Sequence, residues 1–138
     1  MTSVSTHILD TARGRPAADV PVALEAWADG GWQRLGESVT SADGRIGDLP
    51  AFEPPAPPGP LQPPGSPASP GPLQPPGLPA PPGPATCRLV FAVRDYLVAH
   101  HGSAFFAEIT VAFAAGPGEH YHVPLLLAPY GYSVYRGS

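Results

Sequence analysis

The sequence predicts an all-β protein, an antiparallel β-sandwich of about eight short strands with one short helix and a proline-rich loop insertion. Three observations predict this class. Polar and apolar residues alternate along several short segments, turn residues separate these segments, and only one stretch has the features of a helix. Hydrophobic residues make up 43% of the chain, a level that a wholly disordered protein does not reach.

The first half of the chain contains strands separated by two turns. Residues 20–27 place Val20, Val22 and Leu24 on one face at a period of two, as a half-buried strand does. Asp29-Gly30-Gly31 is typical of a hairpin turn, and Ser41–Gly44 predicts a second turn. The strands predicted from these patterns cover residues 3–8, 20–27 and 32–39, followed by a short segment at 45–49.

The second half repeats the alternation around one helix. Asp95 is predicted to be the N-cap of a helix over residues 96–101, which Gly102 ends. Gly116-Pro-Gly118 predicts a turn. The remaining strands are predicted at residues 87–93, 106–113, 120–127 and 130–136.

A proline tract interrupts this pattern. The chain has 138 residues and 22 prolines, and 17 of these prolines lie between Pro50 and Pro84. Within the tract, residues 58–68 recur with one change as residues 70–80, so the repeat has a period of 12 residues. This excludes a collagen helix, which needs glycine at every third residue. We predict a single domain over residues 1–138, interrupted at about 51–85 by a polyproline-II-like surface loop. A repeat expansion is favoured over a ligand for a proline-binding groove.

Charge and composition exclude several classes of function. The formal charge is −4 with no basic cluster, which argues against a nucleic-acid partner. The longest apolar runs fall far short of the roughly 20 residues that span a bilayer, and no secretory signal is visible at the N-terminus. The single cysteine, Cys87, cannot form an internal disulfide. These features predict a cytoplasmic protein without a membrane partner.

Two histidines carry the clearest chemical pattern. His120 and His122 are two apart on a predicted strand and so share a face, whereas Tyr121 lies on the other. Such a pair could begin a zinc site with His7 as a third ligand, or act as general base and proton shuttle. His100 and His101 are predicted to be solvated at the helix end. From the residues alone, a water-activating hydrolase and a plain binding sandwich both stay open.

Two long motifs resemble those of a known family. The opening segment, residues 7–17 followed by 20–24, is similar to the N-terminal motif of the transthyretin-like family. The ending, residues 121–138, is similar to that family's C-terminal motif. Its last four residues, Tyr135-Arg-Gly-Ser138, resemble the mark of the enzymatic branch, which hydrolyses 5-hydroxyisourate. The resemblance covers nearly the whole chain outside residues 51–85.

The resemblance implies a function and a set of site residues. It implies hydrolytic ring opening of 5-hydroxyisourate in purine catabolism, with no metal or organic cofactor, by a homotetramer. The implied catalytic residues are His7, Arg45, His122 and Ser138, and the implied substrate-binding residues are His7, Arg45, Tyr135, Arg136 and Gly137. The alternative is a non-catalytic binding protein of transthyretin type, or an enzyme disabled by the insertion close after Arg45.

Overall fold

The computed structural model of the chain describes residues 1–54 and 85–137. The predicted proline-rich loop and Ser138 therefore lie outside the described residues. The elements in chain order are β1 (Ser3–Asp10), β2 (Arg15–Pro16), β3 (Pro21–Ala28), β4 (Gly31–Val39), β5 (Arg45–Ile46), β6 (Thr86–Phe91), α1 (Arg94–His101), β7 (Ile109–Ala114), β8 (His120–Ala128) and β9 (Gly131–Val134).

The strands form two sheets that pack face to face, which confirms the predicted sandwich. One sheet has the order β2-β1-β8-β9, with β5 also paired to β1, and the other has the order β4-β3-β6-β7. Apolar side chains from the inner faces of both sheets form the core, including Ile8, Leu24, Leu89 and Leu125, each fully buried. The alternating pattern of the sequence thus sorts side chains between this core and the outer faces.

One strand pair differs from the predicted antiparallel arrangement. β1 and β8 run parallel, with Ser3 opposite His120 and Asp10 opposite Leu127. Both strands begin near the same end of the sandwich, and the long chain between them makes a parallel neighbour possible. No local sequence pattern predicts such a pairing, because the two strands come from opposite ends of the chain.

Several predicted boundaries were wrong: the segments predicted at 45–49, 87–93 and 130–136 end at Ile46, Phe91 and Val134. Two further errors concern residues 106–108 and Asp95. Residues 106–108 are not in a strand, because β6 ends at Phe91, whose partner Ile109 is the first residue of β7. Phe106 instead packs edge-to-face against Tyr132, with ring centroids 5.2 Å apart. At the other boundary, Asp95 does not cap the helix, since Val93 occupies the N-cap position and Asp95 lies in the first turn.

The helix ends as predicted but is held more firmly than a surface helix. Gly102 closes it by donating its N–H to the carbonyl of Val98. His100 is exposed, as expected, but His101 is not a solvated residue. Its Nε2 lies 2.8 Å from Oδ2 of Asp10 and only 14% of its side chain is exposed. Among the described residues, no helix is long enough to cross a membrane.

Asp10 is the buried acceptor at the end of β1. Its side chain accepts hydrogen bonds from the Tyr96 hydroxyl at 2.8 Å and from the backbone N–H groups of Ala12 and Arg13 at 3.1 Å. Burial acts to raise the pKa of Asp10, but the hydrogen bonds from His101, Tyr96 and Arg13 outweigh it and hold the pKa below its ordinary value of 3.8. The carboxylate therefore ties the helix and the β1–β2 turn to the sheet.

We predict that Asp10→Ala lowers the free energy of unfolding by about 3 kcal/mol at pH 7, because it leaves several buried donors without an acceptor. Urea denaturation followed by far-ultraviolet circular dichroism measures this. Since the folded-state pKa of Asp10 lies below 3.8, its contribution is present above the unfolded pKa and is lost as the pH falls through the folded pKa. The difference between the two proteins should shrink below about pH 4.

The matched control is Asp95→Ala, which removes an exposed carboxylate from the first turn of the helix. It should cost less than about 1 kcal/mol, the range of a helix-dipole contact. Equal stability of the Asp10→Ala and Asp95→Ala proteins would contradict the assigned role of Asp10.

Candidate active site

The candidate site is built on the outer face of the five-stranded sheet. On β1, Ser5 and His7 point away from the core, and on β8, His120 and His122 do the same. The parallel register sets Ser5 opposite His122. Because residues opposite each other on paired strands share a face, the predicted pair of same-face histidines meets the polar side of β1.

Arg45 reaches this face from the other edge of β1. The two-residue strand β5 places Arg45 opposite His7, and its neighbour Ile46 is buried in the core. Gly44 makes this placement possible because it has a φ of 74° and a Cβ there would lie 2.4 Å from the carbonyl oxygen of Ile8. The predicted turn before Arg45 therefore directs its side chain outward.

Arg45 and His122 line the same cleft, which has a volume of about 330 Å³. Ligand-binding clefts begin at roughly this size, about 300 Å³. The lining residues are Ser5, Thr6, Arg45, Ile46, Gly47, His120 and His122. His7 is not among these lining residues, but it pairs with Arg45 in the sheet, and its charge acts on the His122 ring. The structure thus brings three of the predicted catalytic residues, His7, Arg45 and His122, to one place.

The cleft favours a neutral His122. Burial is the largest cause that lowers the pKa of His122 below its ordinary value of 6.5, and the nearby charges of His7, Arg45 and His120 lower it further. No Asp or Glu lines the cleft within the described residues, so nothing there offsets this effect. The neutral imidazole of His122 can accept a proton, while the permanently charged guanidinium of Arg45 beside it stabilises an oxyanion.

Ser5 is a site residue that sequence reasoning missed. Its Oγ lies 2.8 Å from Nδ1 of His122, and the ring's other nitrogen, Nε2, is therefore the one that can face a ligand. Ser5 also contacts His120, which the sequence placed beside His122 without a partner. The polar positions on the first strand were the available signal, but only the parallel pairing of β1 with β8 shows what they meet.

Gly137 lies directly against His122. Its N–H donates to the carbonyl oxygen of His122 at 2.7 Å, and a Cβ added to Gly137 would lie 2.6 Å from the His122 ring atom Cδ2. The predicted C-terminal motif therefore reaches the imidazole through a residue that has room only for hydrogen. Ser138, predicted to be catalytic, lies outside the described residues.

Tyr135 and Arg136 lie elsewhere. Both line a separate apolar pocket of about 340 Å³ between the edges of the two sheets, together with Val111 and Phe113. The Arg136 guanidinium lies 4.6 Å from the centre of the Tyr121 ring. These two predicted substrate-binding residues are therefore not among those that line the cleft of His122.

Other chemistries find little support in the described part of the chain. No three His, Cys, Asp or Glu side chains are grouped there so as to hold a metal ion, so the zinc alternative has no ligand set. Burial raises the pKa of the Cys87 thiol to about 12, which leaves it unreactive at neutral pH. The geometry instead suits activation of water by an imidazole.

Comparison with known sequences identifies related proteins. A sequence model of the HIUase/transthyretin family matches residues 4–137. A 5-hydroxyisourate hydrolase of Salmonella dublin is 38% identical over 136 residues, which cover 98% of this chain and 80% of that protein. The similarity therefore extends well beyond the two terminal motifs.

Solved structures show the same fold in a 5-hydroxyisourate hydrolase and in a transthyretin. The 5-hydroxyisourate hydrolase of Klebsiella pneumoniae superposes with a TM-score of 0.66 at 28% identity and covers 100% of both chains. Sea bream transthyretin, solved in complex with thyroxine, also gives a TM-score of 0.66 at 28% identity, with 97% of this chain and 93% of that chain covered. Overall shape alone does not separate the hydrolase from transthyretin, so the site residues must.

We predict that the His122 ring titrates with a midpoint below 6.5, the ordinary value, because its folded environment disfavours the imidazolium. Histidine ring signals followed by nuclear magnetic resonance between pH 4 and 9 measure this midpoint. Arg45→Gln should raise it without restoring 6.5, since burial rather than Arg45 is the larger cause. His100→Asn, far from the cleft on α1, is the control and should leave it unchanged. A midpoint above 6.5 would contradict the assignment.

Proposed function

The chain belongs to the HIUase/transthyretin family, and we infer that it is a 5-hydroxyisourate hydrolase that acts in urate degradation. The observation that carries this function is the cleft that Arg45 and His122 line together, with His7 opposite Arg45. The sequence also carries Tyr135-Arg-Gly-Ser138, a tetrapeptide that resembles the mark of the enzymatic branch of the family.

The reaction opens the six-membered ring of 5-hydroxyisourate with water. A water molecule attacks a ring carbonyl carbon, the adjacent carbon–nitrogen bond breaks, and the product is 2-oxo-4-hydroxy-4-carboxy-5-ureidoimidazoline. His122 is assigned as the general base, because its lowered pKa keeps it neutral at pH 7 and able to take the water proton. The Arg45 guanidinium stabilises the negative charge that forms on the carbonyl oxygen.

The remaining predicted residues are assigned supporting roles. His7 positions the water or protonates the leaving nitrogen, which its place opposite Arg45 supports. Gly137 supports the His122 ring by its close contact. Ser138 contributes a hydroxyl, a role that rests on the resemblance of the C-terminal motif. Tyr135 and Arg136 are assigned to substrate contact on that motif alone, since within the chain they line a separate pocket. The reaction needs no cofactor.

The domain organisation and cellular context are also proposals. We propose one domain over residues 1–138 with an insertion at about 51–85. The pairing of β3 with β6, on opposite sides of the proline tract, supports this. A cytoplasmic location agrees with the one cysteine, Cys87, which is buried and free. The proposed partner is the small-molecule substrate, without nucleic acid or membrane.

We predict that the purified protein accelerates the decay of hydroxyisourate freshly made from urate by urate oxidase, followed by ultraviolet absorbance. His122→Ala should lower kcat by about 100-fold or more through loss of the general base. Arg45→Ala should lower it by about 100-fold through loss of the oxyanion partner, and His7→Ala should also remove most of the activity. In wild type, the rate should fall as the pH drops below 6.5 through the His122 pKa.

His100→Ala and Arg94→Gln are the matched controls, since both remove a similar side chain from the helix, away from the cleft. Deletion of residues 54–84 should leave turnover unchanged, because the strands on either side already hold the cleft residues. Absence of turnover by the folded wild-type protein would overturn the function and favour the non-catalytic binding alternative.

We propose that the active form is a homotetramer, and predict a mass in solution of four times the 14.2 kDa of one chain. Light scattering coupled to size-exclusion chromatography measures this mass. Exposed aromatic side chains support an association surface: Phe105 and Tyr130 are 70% and 77% exposed and lie with ring centroids 6.3 Å apart. A stable monomer with full activity would contradict the proposal.

A further inference from the structure

Four polar side chains form a continuous hydrogen-bonded chain along the outer faces of β1 and β8. Ser3 Oγ lies 2.7 Å from His120 Nδ1, and His120 Nε2 lies 3.0 Å from Ser5 Oγ. Ser5 Oγ in turn lies 2.8 Å from His122 Nδ1. This series of hydrogen bonds runs from the half-buried imidazole of His122 in the cleft, through Ser5, to the exposed side chain of His120, with Ser3 at its outer end. The proposed mechanism uses only its inner end.

The hydroxyl of Ser5 couples the two rings. It has one hydrogen to donate and contacts one nitrogen of each histidine. When both rings are neutral, Ser5 donates to one ring and accepts from the other. If it accepts from Nδ1–H of His122, then Nε2 of His122 carries a lone pair and is a base. If it donates to Nδ1, then Nε2 carries the hydrogen and is an acid. Reversing the direction of the hydrogen bonds through Ser5 therefore converts His122 between its basic and its acidic form.

We propose that Ser5 and His120 form a proton relay that carries the proton taken up by His122 out of the cleft and returns one to it. This inference rests on the proposed function and deepens it. In the outward passage, His122 Nε2 takes a proton from water, the Nδ1 proton of His122 moves to Ser5, and the Ser5 proton moves to His120 Nε2. The Nδ1 proton of His120 then leaves to solvent past Ser3.

The return passage restores the starting state. His122 now holds its proton on Nε2 and gives it to the leaving ring nitrogen as the carbon–nitrogen bond breaks. Its Nδ1 recovers a proton from Ser5, which takes one from His120, which takes one from solvent. Over the two passages, one proton moves out and one moves back, so the relay has no net cost in protons.

Electrostatics gives the outward passage its direction. A positive charge kept on His122 lies close to the charges of Arg45 and His7, in a half-buried cleft without a carboxylate among its described lining. His120 is exposed to solvent, where water screens the same charge. Moving the charge from His122 to His120 therefore relieves repulsion while the Arg45 charge stays available for the oxyanion.

Kinetics of Ser5 and His120 variants test the relay. We predict that Ser5→Ala lowers kcat about tenfold or more with little change in KM, since Arg45 and His122 remain in place. Ser5→Thr keeps the hydroxyl and should restore at least half of the lost rate. His120→Ala should lower kcat similarly, and added imidazole should restore part of it by replacing the missing ring. Ser103→Ala and His100→Ala, exposed positions outside the chain of hydrogen bonds, should retain wild-type kcat and show no response to imidazole.

A spectroscopic readout makes the test independent of turnover. The ¹⁵N shifts of histidine rings report which nitrogen carries the hydrogen, and Ser5→Ala should change the tautomer ratio of both His120 and His122, whereas Ser103→Ala should change neither. Wild-type kcat in both Ser5→Ala and His120→Ala, or tautomer ratios unchanged by Ser5→Ala, would overturn the relay while the hydrolase function stands. Absence of turnover in wild type would instead overturn the function, and the ¹⁵N measurement would still decide whether Ser5 couples the two rings.

Discussion

The parallel pairing of β1 with β8 is the constraint on which the site depends. It joins the first strand of the chain to a strand near its end through eight registered residue pairs, from Ser3–His120 to Asp10–Leu127. Side chains alternate between the two faces, so a slip of one residue would move His122 from the outer face to the core face. Buried residues such as Ile8 and Leu125 exclude that slip, because it would expose them. Packing in the core therefore fixes the chemistry on the opposite face.

The position of Arg45 depends on the same strand but needs additional support, because β5 has only two residues. The chain that follows it returns to the start of β1, where the backbones of Thr2 and Phe52 exchange hydrogen bonds of 2.7 and 2.8 Å. Leu49 and Phe52 are also buried in the core. Arg45 is thus held on both sides before the proline tract begins, which explains how a long insertion close to a catalytic residue is compatible with an intact cleft.

Much of the fold could be predicted from local pattern, because alternation and turn residues act over a few positions. The hairpin at Asp29–Gly30 and the helix end at Gly102 were found in this way. Interactions between distant segments could not be found. The sequence predicts that His101 is a surface residue, because its hydrogen-bond acceptor, Asp10, lies 91 positions away in the chain. The site divides similarly, since the resemblance supplied His7, Arg45 and His122, whereas the partnership of Ser5 with His122 follows only from the pairing of distant strands.

The composition of the cleft links two requirements of the chemistry. A cation beside the reacting carbonyl stabilises the oxyanion, and Arg45 supplies one that never loses its charge. The same charge, together with His7, opposes protonation of His122 and so keeps the base neutral. A base that is easily kept neutral is, for the same reason, a poor place to store the proton it removes. A site built in this way works better if the proton can leave His122 for a group in contact with solvent. The exposed ring of His120, which the Ser5 hydroxyl joins to His122, is such a group.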